Sequence, residues 1–131
     1  MRRLSFLFLG VVLLMSASCH RPSLNDLSDE SARYAAEYYY AMLVEGRFDE
    51  YVAAMEHSEE MRPEMRSQMV ALVAQFVDDI KTNKGGLVSA KATSDSLSGN
   101  EACVFLDILY ADSTQEHVEF PMVFQQQWKI R

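Results

Sequence analysis

Apolar and polar positions along the 131 residues follow three regimes in turn. Met1-Arg2-Arg3 is charged, and Leu4 to Met15 is almost wholly apolar over 12 residues. From about residue 27 the apolar positions recur at helical spacing, and beyond Gly85-Gly86 they alternate as in strands. The opening run is short for a bilayer-crossing helix, which takes about 20 apolar residues. A charged start, an apolar stretch and then small residues is the layout of a secretory signal.

Within the helical regime, Ser28 is a suitable N-cap for a first helix, with Asp29 and Glu30 in its first turn. Ala32, Ala35, Ala36, Tyr39 and Leu43 share one face, flanked by Met42 and Tyr40. Tyr34 and Tyr38 fall on the opposite, exposed side, which makes Tyr39 the buried member of three consecutive tyrosines. Gly46 closes the helix in a left-handed cap. Phe48, Tyr51, Val52 and Met55 mark a short second helix, and Pro63 suits the first position of a third. Met65, Met69, Leu72, Val73, Phe76 and Ile80 form its apolar stripe, widened by Val70 and Val77. A stripe so wide touches more than one neighbour.

The strand regime begins with Leu87 to Ser96, polar enough for a sheet edge, and Ser98-Gly99-Asn100 turns the chain. Ala102 to Tyr110 is apolar on both faces, so it is expected mid-sheet with both sides covered. Val118, Phe120, Met122 and Phe124 alternate in the next strand, where Pro121 requires a bulge or an edge. A last strand over 127–131 turns Trp128 and Ile130 to the core. Gln125-Gln126 is poor hairpin chemistry, so one long continuous strand is the alternative. Helices followed by a meander predict an α+β domain, its N-terminal helices packed on a curved antiparallel sheet.

Composition narrows the function classes. Beyond residue 18 lie 113 residues, enough for one domain with a core. All 19 acidic residues fall in that part against 10 of the 12 basic ones, a charge of −9. An acidic surface without a basic cluster argues against nucleic acid. Ser16-Ala17-Ser18-Cys19 resembles the lipobox of bacterial lipoproteins, although Ser16 stands where Leu or Val is more usual. A plain secretory signal cut near Ala17 is the alternative. The resemblance implies a signal peptide over 1–18 and lipid, such as palmitate, on Cys19. It further implies a tether over 19–26, a domain over 27–131 and a place on the bacterial envelope, at the outer membrane. With Cys19 lipidated, Cys103 has no disulfide partner and reads as a buried apolar residue.

Leu43-Val44-Glu45-Gly46-Arg47-Phe48-Asp49-Glu50-Tyr51 and the closing Gln127-Trp128-Lys129-Ile130 resemble stretches of the nuclear transport factor 2-like (cystatin-like) superfamily. The element order over about 27–131 is similar too, as in small envelope lipoproteins of that group. The resemblance implies a cone-shaped domain with a cavity between helices and sheet, often dimeric through the sheet.

Candidate chemistry is sparse. Asp107 is the one charge inside Ala102 to Tyr110, and a carboxylate in an apolar site works as an acid or base. Isomerases of the superfamily use tyrosine and acidic residues lining the cavity, so Tyr39 with Asp107 is the candidate pocket pair. The plainer reading has Asp107 paired at a rim and Tyr39 filling core. Glu56-His57-Ser58-Glu59-Glu60 lacks a second ligand cluster, so no metal and no cofactor is expected. No catalytic residue is assigned. The sequence favours an envelope lipoprotein with a non-catalytic domain binding a small apolar ligand or an envelope protein. The alternatives are a small isomerase, dehydratase or cyclase using Tyr39 and Asp107, and a structural partner docking through its sheet face.

Overall fold

The computed structural model describes residues 31–131. The expected signal peptide, Cys19, the tether and Ser28 lie outside the described residues. Helix α1 (Ala32–Glu45) starts later than Ser28 predicts, with Ser31 as N-cap accepting from the Tyr34 N–H. Gly46, at φ 76°, ends it as expected. Helix α2 spans Phe48–Ala53, a 3₁₀ turn follows at Ser58–Glu60, and α3 runs Pro63–Lys84 with proline in its first turn. Strands β1 (Leu87–Ser98), β2 (Glu101–Tyr110), β3 (Gln115–Phe124) and β4 (Trp128–Ile130) form an antiparallel meander in chain order.

Helix α1 packs across all four strands, chiefly β1. Its alanines let the backbone approach the sheet, and Tyr39 and Met42 fill the space beneath. Tyr39, Met42, Val52, Val104, Leu106, Ile108 and Met122 are the largest fully buried side chains. The space between helices and sheet, where the resemblance implies a cavity, is therefore packed with side chains at its centre. Tyr40 is buried too, its ring edge-on to Phe120 at 5.7 Å, so two of the three consecutive tyrosines are interior. Tyr34 and Tyr38 are half-buried rather than exposed. Tyr38 lies under the Arg47 guanidinium, 5.8 Å from its ring centre, which covers part of it.

Both sheet edges are managed. β1 is an edge strand as predicted, polar and irregular at Leu87/Ser89 and Ala92/Ser94. At the second irregularity the Ala92 N–H donates to Glu37 of α1 at 2.7 Å, so a group lost to the ladder is satisfied by a carboxylate. On the other edge, the chain after α2 runs beside β4. Ile130 N donates to Ala54 O at 2.9 Å and Glu56 N donates to Ile130 O at 2.7 Å. Pro121 is accommodated with neither the expected bulge nor an edge strand, since β3 lies between β2 and β4. Its register with Cys103 is unbroken, and its carbonyl accepts from Arg131 N at 3.1 Å just past the end of β4. The hairpin reading of 125–127 holds, with Gln126 at φ 72° supplying the left-handed turn conformation.

Two expectations of burial fail. The α3 stripe is covered along one side only: Val73 is buried, while Met65, Leu72 and Phe76 are 51%, 59% and 51% exposed. Helix α3 packs against α2 and β1, and that groove is narrower than its apolar arc. β2 is mid-sheet, but only its helix side is closed over. Val104, Leu106 and Ile108 are buried, whereas Cys103, Phe105, Asp107 and Leu109 are half-exposed and stand outside the core cluster. A strand apolar on both faces fixes its place in the sheet; it does not guarantee a cover.

Candidate functional site

Period-2 alternation along β2 decides where the candidate pair falls. Tyr39 is wholly buried on the helix side and its hydroxyl donates to the Trp128 carbonyl at 2.5 Å. Burial, and secondarily Tyr38, push its pKa up to about 12. A neutral phenol bonded to a strand carbonyl ties α1 to β4. Asp107 belongs to the other face of the sheet, in register with Lys91 on β1 and His117 on β3. Its Oδ1 is hydrogen-bonded to His117 Nδ1, and the His117 side chain is 83% exposed. The sheet thus stands between Tyr39 and Asp107, and the structure does not bring them together. The alternation that separates them is visible in the sequence. The partnership with His117 is not, because it depends on the β2–β3 register.

Among the described residues, the clefts at the rim of the helix side include two beside α3. Phe76, Asp79, Ile80, Asn83 and Lys84 of α3 face Tyr110 and Glu116 across a cleft of about 170 Å³. Here Tyr110 donates to Glu116 Oε1 at 2.5 Å and the Lys84 ammonium sits 4.2 Å from the Tyr110 ring centre. Burial first, then the bond to Glu116, raise the Tyr110 pKa; burial and then Glu116 raise that of Tyr40. The α3 C-terminus is pinned against this hairpin: Asp112 N donates to Lys84 O at 3.1 Å and Ala111 N to Gly86 O at 2.8 Å. A second cleft, between Leu43, Val77, Lys81, Gly85 and Leu87, measures about 290 Å³. Both fall short of the roughly 300–1,000 Å³ of ligand pockets that enclose a small molecule.

The open face of the sheet has a different character. On this face Phe105 and Leu109 are the large apolar side chains, separated along β2 by Asp107, with Cys103 next to Phe105. Lys91, Asp107 and His117 cross it as a cation, an anion and an imidazole. Exposed Glu119 and Pro121 border it on β3. At one end Ser96, Ser98, Glu101, Cys103, Pro121 and Arg131 line a shallow groove of about 260 Å³, where Arg131 and Glu101 form an ion pair. Apolar and charged groups are thus interleaved on this face. Among the described residues no cluster of His, Cys, Asp and Glu is placed to hold a metal ion. No described helix is long and apolar enough to cross a membrane.

No family model matches the chain, and no curated protein does. Among solved structures it is similar to a Campylobacter jejuni protein provisionally assigned as an NTF2-like transpeptidase, determined at 2.00 Å resolution. The two share 14% identity over 74% of this chain and 94% of that one, with a TM-score of 0.60. At that identity the likeness is one of architecture, and it agrees with helices packed on an open four-stranded antiparallel sheet. The chain has the nuclear transport factor 2-like fold.

Proposed function

We propose that this protein is a lipid-anchored component of the bacterial envelope whose domain binds another envelope protein through the open face of its sheet. The observation that carries this reading is the uncovered side of β2, where partly exposed Phe105 and Leu109 flank the row of Lys91, Asp107 and His117. Apolar side chains interleaved with charges on an uncovered face let a protein partner match both packing and charge. The packed centre behind the sheet favours a protein partner over an enclosed small ligand, and the separation of Tyr39 from Asp107 speaks against the enzyme alternative. Anchoring rests on the lipobox-like Ser16-Ala17-Ser18-Cys19.

A photoreactive phenylalanine at Glu119, installed in the cell envelope of the source organism, tests the surface. The expected result is a discrete adduct with a second protein that disappears on Phe105→Glu while thermal unfolding is unchanged. Absence of any adduct, or adducts indifferent to Phe105→Glu, overturns the reading. Cys19→Ala tests the anchor separately: the protein should move from the membrane fraction to the soluble one.

A further inference from the structure

Helix α3 carries an apolar surface unrelated to the sheet face. Met65, Met69, Leu72 and Phe76 are spaced by four, three and four residues, the seam spacing of paired helices. Met69 leans on the protein's own core, while the other three stand more than half exposed. The charges beside this seam are arranged with a definite sense. Arg62 and Arg66 flank its beginning, Asp78 and Asp79 its end, and none of the four forms an ion pair among the described residues. Local charge along the seam is therefore balanced, in a chain whose net charge is −7.

We propose that α3 is a self-association seam, through which two copies of this chain pair with their α3 helices antiparallel. The pattern is self-complementary about a two-fold axis between Met69 and Leu72. That axis sets Met65 opposite Phe76 of the second copy, Met69 opposite Leu72, and Arg62 opposite Asp79. A parallel arrangement would instead face Arg62 with Arg62 and Asp79 with Asp79, which like-charge repulsion disfavours. Two-fold pairing uses the same patch on both copies, so one stripe suffices and the assembly closes at two. The part of the α3 arc that α2 and β1 leave open is then covered by the second copy. The open sheet face stays free in such a dimer, one on each side.

The test is sedimentation equilibrium of the full chain in a mild non-ionic detergent, with each variant's fold checked by circular dichroism. The wild-type chain is expected to show a monomer–dimer equilibrium. Leu72→Glu should leave monomer only, and Leu72→Ser should weaken pairing at least tenfold. Arg62→Asp and Asp79→Arg should each weaken it about five- to tenfold, because symmetry makes the exposed pair occur twice. The double reversal R62D/D79R should restore it, which a foreign-partner site or a parallel pairing would not do. A chain that stays monomeric at millimolar concentration overturns the proposal. So does a dimer that survives Leu72→Glu and is broken by Phe105→Glu, since pairing would then run through the sheet.

Discussion

Helix α1 keeps Ala32, Ala35, Ala36, Tyr39, Met42 and Leu43 at 2% exposure or less, whereas α3 leaves Met65, Leu72 and Phe76 about half in solvent. Both helices are amphipathic, and α3 carries the longer stripe of apolar residues. The difference comes from what lies beneath them. α1 crosses four strands, and its small alanines permit close approach, so the face bearing Tyr39 and Met42 is closed over, while Val44 at its end stays 42% exposed. α3 sits in a groove between α2 and β1 that covers only the side bearing Val73. Periodicity reports that a face is apolar. It does not report whether this chain or another molecule covers it.

The sharpest way to break the comparison is to truncate matched side chains on the two helices. Met42→Ala, in the closed interface under α1, should cost about 2–5 kcal/mol of stability in urea unfolding. A loss below 1 kcal/mol would mean that the interior relaxes around the gap. Gly85→Ala should rank next, at about 1 kcal/mol or somewhat more, for two reasons. Gly85 has φ 81°, and an added Cβ would lie 3.3 Å from the Ala111 Cβ. The variant would show whether the α3 C-terminus is held firmly on the β2–β3 hairpin.

Tyr39→Phe should be milder at neutral pH, about 1 kcal/mol for one lost hydrogen bond. Its diagnostic is alkaline. The folded-state pKa of Tyr39 is raised to about 12 from an ordinary 10. Its contribution is therefore complete below pH 10 and is lost as pH rises towards 12. The phenylalanine variant should lose stability less steeply over that window, with Tyr40, Tyr51 and Tyr110, also raised, supplying the remaining slope. Equal slopes would mean that Tyr39 reaches solvent. The smallest effect belongs to α3: Leu72→Ser, measured at dilutions where the chain is monomeric, should change stability by no more than about 0.5 kcal/mol.

Particular residues show what was legible. Gly46, Pro63 and Gly85 mark helix ends in the sequence and in the structure, because each is a local backbone preference. The N-cap of α1 is Ser31, three residues after Ser28, and the sequence does not separate two equally competent caps. Tyr40 sits at the margin of the helical wheel, and its place in the core depends on packing with distant residues such as Phe120 on β3. Of the candidate site, Asp107 was visible as a charge in an apolar strand. Its partner His117 was not, since cross-strand neighbours are set by register.

Taken alone, the sequence determined the element order, the glycine and proline helix ends, the acidic balance and the alternation of the strand faces. These follow from backbone preferences and side-chain period, which act within a few residues. The tertiary structure alone decided that Tyr39 and Asp107 stand on opposite sides of one sheet. It also decided that Lys91, Asp107 and His117 align in a row, and that α3 and the outer face of β2 remain open. Those outcomes depend on which distant segments meet and how much area each one covers, and no local pattern encodes the width of a groove.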